Sequence, residues 1–342
     1  MKKYTIKDVA NKAGVSIATV SNVINAKGRV STQTIARVRK VIEELQYYPN
    51  LAARNLKDKK THLIAVLVPL TDQSNIHDNP FYLELLSGIE KGARQSDLHV
   101  LLIGLKEGDN LSFIHERNLD GIIVVGVHEH SLLYENITQL HVPCVFMDSY
   151  LNQCNYDQVN IDDQLGGYLA TKHLISLGHR HIVLFGGERK NNSVYHSRWL
   201  GYRKALNEAR IQYREKYAIE SQVTMEAAYQ CAQHCIATDR EITAVCVGSD
   251  VAAMGFVKGL HDVGLHVPEH ISVIGFDDLF FAHYMVPTLT TIYQNITEKG
   301  TKAVELLFEQ IYEERFRPAK KVFVPIQLKI GQSTREISKM EK

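Results

Sequence analysis

Thr5-Ile6-Lys7-Asp8-Val9-Ala10-Asn11-Lys12-Ala13-Gly14-Val15-Ser16, continued by Ile17-Ala18-Thr19-Val20-Ser21-Asn22-Val23-Ile24-Asn25, is the stretch on which the reading of this chain turns. Thr5 with Asp8 three places on forms a shortened capping box, and Ile6, Val9, Ala10 and Ala13 repeat at the helical period. Gly14 permits a sharp turn, Val15 can fill the space between two helices, and Ser16 caps a second helix. Val20, Val23 and Ile24 of that helix face inward, which leaves Thr19, Ser21 and Asn22 available to phosphates or base edges in a major groove. A third helix starts at a Ser31 cap and buries Ile35, Val38, Val41, Ile42 and Leu45, closing a core that two helices alone lack. Arg29, Arg37, Arg39 and Lys40 are candidates for phosphate contact. Pro49, in Tyr47-Tyr48-Pro49-Asn50, cannot continue the helix. The segment 51–57 is a short, small-faced helical candidate, expected to order only when two copies meet on DNA, with Leu56 free to wedge between base steps of a widened minor groove.

Charge divides the chain near the same place. Residues 1–60 hold 13 Lys and Arg against 4 Asp and Glu, a formal +9, whereas the remaining 282 hold 26 against 34, a formal −8. The whole-chain value of +1 hides two opposite parts, and nucleic acid is assigned to the basic one. A length of 342 residues exceeds what one core usually fills, so a small head and a large body are expected. Cys144, Cys154, Cys231, Cys235 and Cys246 show no disulfide spacing and no completed zinc pattern, so reduced thiols, no metal and no cofactor are expected. Neither an export signal nor an apolar run of membrane-spanning length is found, which points to the cytoplasm.

Past residue 60, strand-like runs alternate with helical patterns, at 63–68, 100–103, 121–125, 142–146, 181–185, 244–247 and 271–276. This reads as α/β in two halves divided near 160–166, with 288–292 returning the chain to the first half. The expected organisation is a head at 1–46, a linker at 47–60 and a body at 61–342. Within the body, one lobe takes about 61–160 and 292–322, and the other about 161–291 and 323–342. Two such lobes leave a cleft at the carboxyl ends of their strands, where ligands usually sit. Asp277 and Asp278 follow Gly275-Phe276, and Ser249 and Asp250 follow Val247-Gly248. A carboxylate there can accept two sugar hydroxyls, and Arg198 beside Trp199 can donate in a fixed fork. Each has a structural alternative: Asp250 and Asp278 as helix caps, Asp277 and Arg198 as a satisfied interlobe pair.

On these residues the chain closely resembles the lactose/galactose repressor family of bacterial transcription regulators. The matching text is Thr5-Ile6-x-Asp8-Val9-Ala10-x-x-Ala13-Gly14-Val15-Ser16-x-x-Thr19-Val20-Ser21, Val23-Ile24-Asn25, Val30-Ser31 and Tyr48-Pro49-Asn50-x-x-Ala53-Arg54-x-Leu56. Landmarks in the body are Asn79-Pro80-Phe81-Tyr82, Asn160-Ile161-Asp162-Asp163, Gly178-His179-Arg180-His181, Arg198-x-x-Gly201-Tyr202 and Gly275-Phe276-Asp277-Asp278. The resemblance implies a three-helix helix-turn-helix head with a hinge helix, joined to a two-lobed α/β periplasmic-binding-protein-like effector domain. It places Ile17, Ala18 and Asn22 at the operator-reading positions and Leu56 at the intercalating position, with Asn25, Asn50 and Ala53 in the DNA-contacting set beside Thr5, Ser16 and Arg29. Many relatives carry Arg where Asn22 stands, and Asn pairs with adenine where Arg prefers guanine. In the body it places Arg198 and Asp277 on the effector clamp, Phe81 and Tyr82 on the aromatic edge, and Asp148, Asn192 and Val194 beside them. Many sugar-binding relatives have Asn at Ser249.

The implied activity is that of a dimeric repressor, not an enzyme. Its partners are double-stranded, pseudopalindromic operator DNA and a small-molecule effector of carbohydrate type, bound between the lobes. The short tail after Arg335 offers no heptad repeat, so a homodimer is expected. Three rivals stand beside this reading: a sugar-binding protein without DNA function, an enzyme acting on a sugar, and a regulator controlled by a phosphoprotein corepressor.

Overall fold

A computed structural model describes residues 4–24, 28–47, 60–70, 79–106, 108–129, 131–152, 155–189, 192–313 and 317–337. The chain forms two compact units, Met1–Thr61 and His62–Lys342.

The first unit holds α1 (Ile6–Ala13), α2 (Ile17–Ile24) and α3 (Thr32–Leu45). Thr5 and Asp8 close a reciprocal capping box on α1, and Gly14 ends it at φ 64°, a left-handed conformation that a side chain would strain. Ser16 accepts from the Thr19 amide at 3.1 Å, and Ser31 caps α3. Val9, Ala10, Ala13, Val20, Val23, Val38 and Val41 form the core, with Val15, Ile24, Ile35, Ile42 and Leu45 packed around it. Tyr47, read from sequence only as part of the helix stop, is buried in that core as well. α3 ends at Gln46, in the left-handed region, three residues before Pro49. Asn25, Tyr48, Pro49, Asn50, Ala53 and Leu56, with the linker expected at 47–60 apart from its end residues, lie outside the described residues.

The second unit contains two six-stranded sheets. The first comprises β1 (Leu63–Pro69), β2 (His99–Leu105), β3 (Gly121–Val125), β4 (Cys144–Met147), β5 (Asp157–Ile161) and β11 (Lys321–Val324), in the order β11-β5-β4-β3-β1-β2. The second comprises β6 (Ile182–Gly186), β7 (Ala218–Glu220), β8 (Ala244–Val247), β9 (Ser272–Asp277), β10 (Thr290–Gln294) and β12 (Ile326–Lys329), in the order β12-β10-β9-β8-β6-β7. All pairings are parallel except β10 with β12. Central strands such as β3 and β8 are buried throughout, as parallel strands covered by helices on both faces must be.

Two sequence expectations are corrected here. Residues 288–292 do not return the chain to the first lobe, because Thr290 pairs with Ile274 and Tyr293 with Asp277, so β10 belongs to the second sheet. The crossing falls at Asn295, the cap of helix Ile296–Tyr312, instead of at 292. The next crossing falls at Pro325 instead of 322, because all of β11 pairs with β5. Short runs hide such boundaries: β10 and β11 are apolar enough for either sheet, and partner strands distant in sequence decide between them.

Helix packing then sets the cleft. Helices Asp163–Ser176 and Val194–Glu208 touch backbone to backbone, since a Cβ on Gly167 would lie 2.1 Å from the Arg198 carbonyl oxygen and one on Gly201 2.0 Å from that of Gln164. This approach brings Asp163, at the start of one helix, against Arg198 in the first turns of the other.

Candidate functional site

In the head, α2 buries Val20 and Val23 and turns the opposite side outward. Ile17 is 47% exposed, Ala18 and Asn22 are exposed, and Thr19 and Ser21 are half-buried. Ile17, Ala18 and Asn22 thus set an apolar side chain, a small one and an amide side by side on the exposed side of α2. Arg29, Arg37, Arg39 and Lys40 are exposed. Thr5 and Ser16 spend part of their hydrogen-bonding capacity as caps: the Thr5 hydroxyl donates to Asp8 at 2.7 Å, and the Ser16 and Thr19 hydroxyls lie 2.9 Å apart.

In the body, the ends of β4, β9 and β10 and the starts of three helices converge on a floor of charges. Arg198 is 8% exposed; its Nε donates to Asp163 Oδ1 at 2.6 Å and its Nη1 to the Gly248 carbonyl at 2.7 Å, while its guanidinium stacks 3.4 Å from the Phe276 ring centroid. Asp163 also accepts from the Tyr150 hydroxyl. Asp277, 5% exposed with φ 113°, accepts from Gln294 Nε2 at 2.6 Å. Gln294 accepts in turn from Lys299 Nζ at 2.8 Å, and Lys299 donates to Asp148 Oδ1 at 2.6 Å. The Lys299 ammonium lies 5.3 Å from the Phe81 ring centroid, and Phe81 stands edge-on to Tyr82 at 5.6 Å.

Burial governs the electrostatics. It raises the Asp277 carboxyl to about 7, with Arg198, the Gln294 amide and Lys299 pulling the other way. Asp163 is raised by burial against the opposing pull of Arg198. Burial, then the charges of Asp148 and Asp277, push the Tyr82 hydroxyl up to about 12. A carboxylate held near neutrality in a closed polar site is poised to accept hydrogen bonds from a ligand, which would favour its ionised form.

Of the residues expected at the cleft, Phe81, Tyr82, Asp148, Arg198 and Asp277 are brought together. The expected interlobe pair of Arg198 with Asp277 is corrected: Asp277, at the end of β9, lies in the same lobe as Arg198, and the helix contact through Gly167 gives Arg198 Asp163 as its direct partner. Ser249, not Asp250, caps helix Asp250–Asp262, its hydroxyl accepting from the Ala252 amide at 3.1 Å. Asp250 is wholly buried and ties the loop after β9 to β10, accepting from the Leu279 amide at 2.8 Å and the Thr291 hydroxyl at 2.6 Å. Asp278 caps no helix and faces His283 at 3.3 Å. Asn192 bonds Glu129 across the lobes at 3.3 Å, and Val194 opens helix Val194–Glu208 behind its Ser193 cap. Sequence reasoning missed Asp163 as a site residue, and Tyr150, Gln294 and Lys299 entirely. Lys299 was legible in principle, as a lysine on the inner stripe of Ile296, Ala303, Val304 and Leu307.

Among the described residues, no group of His, Cys, Asp and Glu is arranged to hold a metal ion, and no helix is long and apolar enough to cross a membrane. Cys144, Cys231, Cys235 and Cys246 are free thiols, and Cys154 lies outside the described residues.

A basic helix-turn-helix unit and a separate two-lobed α/β unit with a charge-lined cleft together define a ligand-responsive DNA-binding regulator. Comparison with known proteins agrees. Residues 5–50 match the model of bacterial regulatory proteins of the lacI family, and 171–334 match a periplasmic binding protein-like domain. The chain is 34% identical over 313 residues to the ribose operon repressor of Haemophilus influenzae, covering 90% of this chain and 92% of that protein. It is 35% identical over 318 residues to the HTH-type transcriptional repressor PurR of Pasteurella multocida, covering 91% and 92%. The lac repressor dimer bound to operator and the anti-inducer ONPF superposes with a TM-score of 0.83 at 25% identity, over 98% of this chain and 100% of that one. The chain belongs to the lacI family; it is a DNA-binding transcriptional regulator with a small-molecule effector, not an enzyme.

Proposed function

We propose that the chain is a cytoplasmic, homodimeric repressor that reads a pseudopalindromic operator through Ile17, Ala18 and Asn22 and answers to a carbohydrate held between its lobes. The observation that carries the DNA half is the outward set of Ile17, Ala18 and Asn22 on a helix whose other side is core. In this reading Thr5, Ser16, Thr19, Ser21, Asn25 and Arg29 contribute backbone and sugar–phosphate contacts, while Asn50, Ala53 and Leu56 act at the operator centre. The effector half is supported by Asp277 and Arg198 lying close together at the cleft floor, an acceptor and a fork donor suited to adjacent hydroxyls. Phe81 and Tyr82 supply apolar faces for a sugar ring, and Asp148, Asn192, Val194 and Ser249 complete the wall. The H. influenzae relative is by name a repressor of a ribose operon, while the P. multocida relative is a PurR repressor, so the sugar reading rests on the hydroxyl-matching groups of the cleft.

Effector and operator are coupled only to the extent that the effector binds the DNA-competent and DNA-incompetent arrangements with different affinity. A binding-site selection with the full chain, followed by titration of the selected duplex with candidate sugars, tests both halves. Preference for a two-fold-symmetric site that changes on adding one sugar is the expected result. Equal binding to selected and random duplexes would refute the operator half.

A further inference from the structure

Lys299 is the least expected residue of the cleft. Its side chain is wholly enclosed, and its amino group makes two short contacts, 2.6 Å to Asp148 and 2.8 Å to Gln294. Through Gln294, which donates to Asp277 at 2.6 Å, one chain of hydrogen bonds runs from the first lobe's carboxylate to the second's. The floor thus holds three carboxylates, Asp148, Asp163 and Asp277, against two cations, each already in contact with one of them at 2.6 Å.

We propose that Lys299 sets the charge selectivity of the cleft: its ammonium occupies the place beside Asp148 that a ligand's cationic group would take, so that the effector is an uncharged polyhydroxyl compound and amino sugars and sugar phosphates are turned away. The inference rests on the carbohydrate reading above and narrows it. A buried ion is tolerated only with a counter-ion, and both pairs here are complete before any ligand arrives. An ammonium seeking Asp148 would find Lys299 already in its place, and a phosphate would find both cations of the floor, Lys299 and Arg198, already paired, so exclusion works by prior occupancy. Asp277 already lies in the field of Arg198 and Lys299 and accepts from Gln294, so its remaining acceptor capacity is left for hydroxyl donors, which bring no net charge.

The test uses the full chain, with Trp199, the only tryptophan and the neighbour of Arg198, as a fluorescence reporter alongside thermal melting. The probes are D-ribose, D-glucose and D-galactose, then D-glucosamine and D-galactosamine, then ribose 5-phosphate and glucose 6-phosphate, with hypoxanthine as the non-sugar arm. The wild-type chain is expected to bind a neutral sugar at least tenfold more tightly than its amino or phosphorylated counterparts. Lys299→Met is expected to reverse the order for the amino sugars, raising their affinity at least tenfold while the neutral sugar loses. Lys299→Arg keeps the charge and should keep the preference. Without ligand, Lys299→Met should lower the melting temperature by stranding Asp148, and adding Asp148→Asn should restore it. Equal or tighter binding of a charged counterpart by the wild-type chain, unchanged selectivity in Lys299→Met, or an unchanged melt in that variant each overturns the inference. A response to hypoxanthine alone, or to no probe in a protein that melts cooperatively, sinks the carbohydrate reading and this inference with it.

Discussion

Two side chains show how environment, more than identity, assigns a role. Asp277 is an ordinary aspartate drawn into a closed site, and burial raises its carboxyl to about 7. Because its folded value lies above the unfolded one, the folded chain binds the extra proton between about pH 4 and 7, so this residue weakens the fold as pH rises through that window and does so fully above it. Asp277→Asn should therefore raise the melting temperature at pH 8 by a few degrees, with less gain at pH 5, while sugar affinity falls about a hundredfold. A melt at pH 8 no higher than wild type would show that the carboxylate carries no such penalty. In the head, Asn22 stands exposed where a fork donor would prefer guanine. Asn22→Arg should move the selected operator from adenine to guanine at one position per half-site, a discrimination of about 1–3 kcal/mol. Retention of adenine in the selected pool would take base reading away from this residue.

Elements were read unevenly from sequence, and the reasons are physical. The head was clear because its signals are local: Thr5 with Asp8, Gly14, Ser16 and Ser31 act within four residues of themselves, and the structure finds each in its expected role. β10 and β11 were misplaced because a strand takes its partner from far along the chain, here β9 and β5. The pairing of helices Asp163–Ser176 and Val194–Glu208 was likewise hidden, since nothing near Gly167 says that Arg198 will lie against it. That contact yields its own prediction. Gly167→Ala forces the two helices apart and should destabilise the body by about 1–3 kcal/mol, as overpacked cores do, and weaken sugar binding by separating Arg198 from its partner. Denaturant unfolding with Trp199 emission reads both effects; wild-type stability and affinity together would show that the helices have slack.

Across the body, ties between distant segments set how it responds to acid. His179 is buried against Thr243 at 2.9 Å and the Arg335 carbonyl at 3.1 Å, joining a turn, a strand entry and the last described segment. Burial lowers its imidazole to about 4, well below the unfolded value. The unfolded chain then binds the extra proton between about pH 4 and 6.5, so stability rises with pH through that window and is lost below it. Replacing His179 with Asn should flatten that part of the pH–stability profile; an unchanged slope would assign it elsewhere. The opposed charges of the two parts, +9 and −8, have a consequence for binding. The net charge of the whole chain predicts weak attraction to DNA, whereas the basic head predicts operator affinity falling steeply between about 50 and 200 mM salt. Shallow salt dependence would argue that few phosphates are contacted.

The residues alone settled that a basic, capped three-helix head precedes an α/β body with acids at its strand ends, because caps, turns, periodicity and charge act over short spans of chain. Folding in three dimensions decided the rest. It gave Asp163 to Arg198 and Lys299 to Asp148, and it let Ser249 take the cap while Asp250 became an anchor. The partner of a buried charge is whichever opposite group the packed helices bring within about 3 Å of it, and separation along the chain carries no record of that distance.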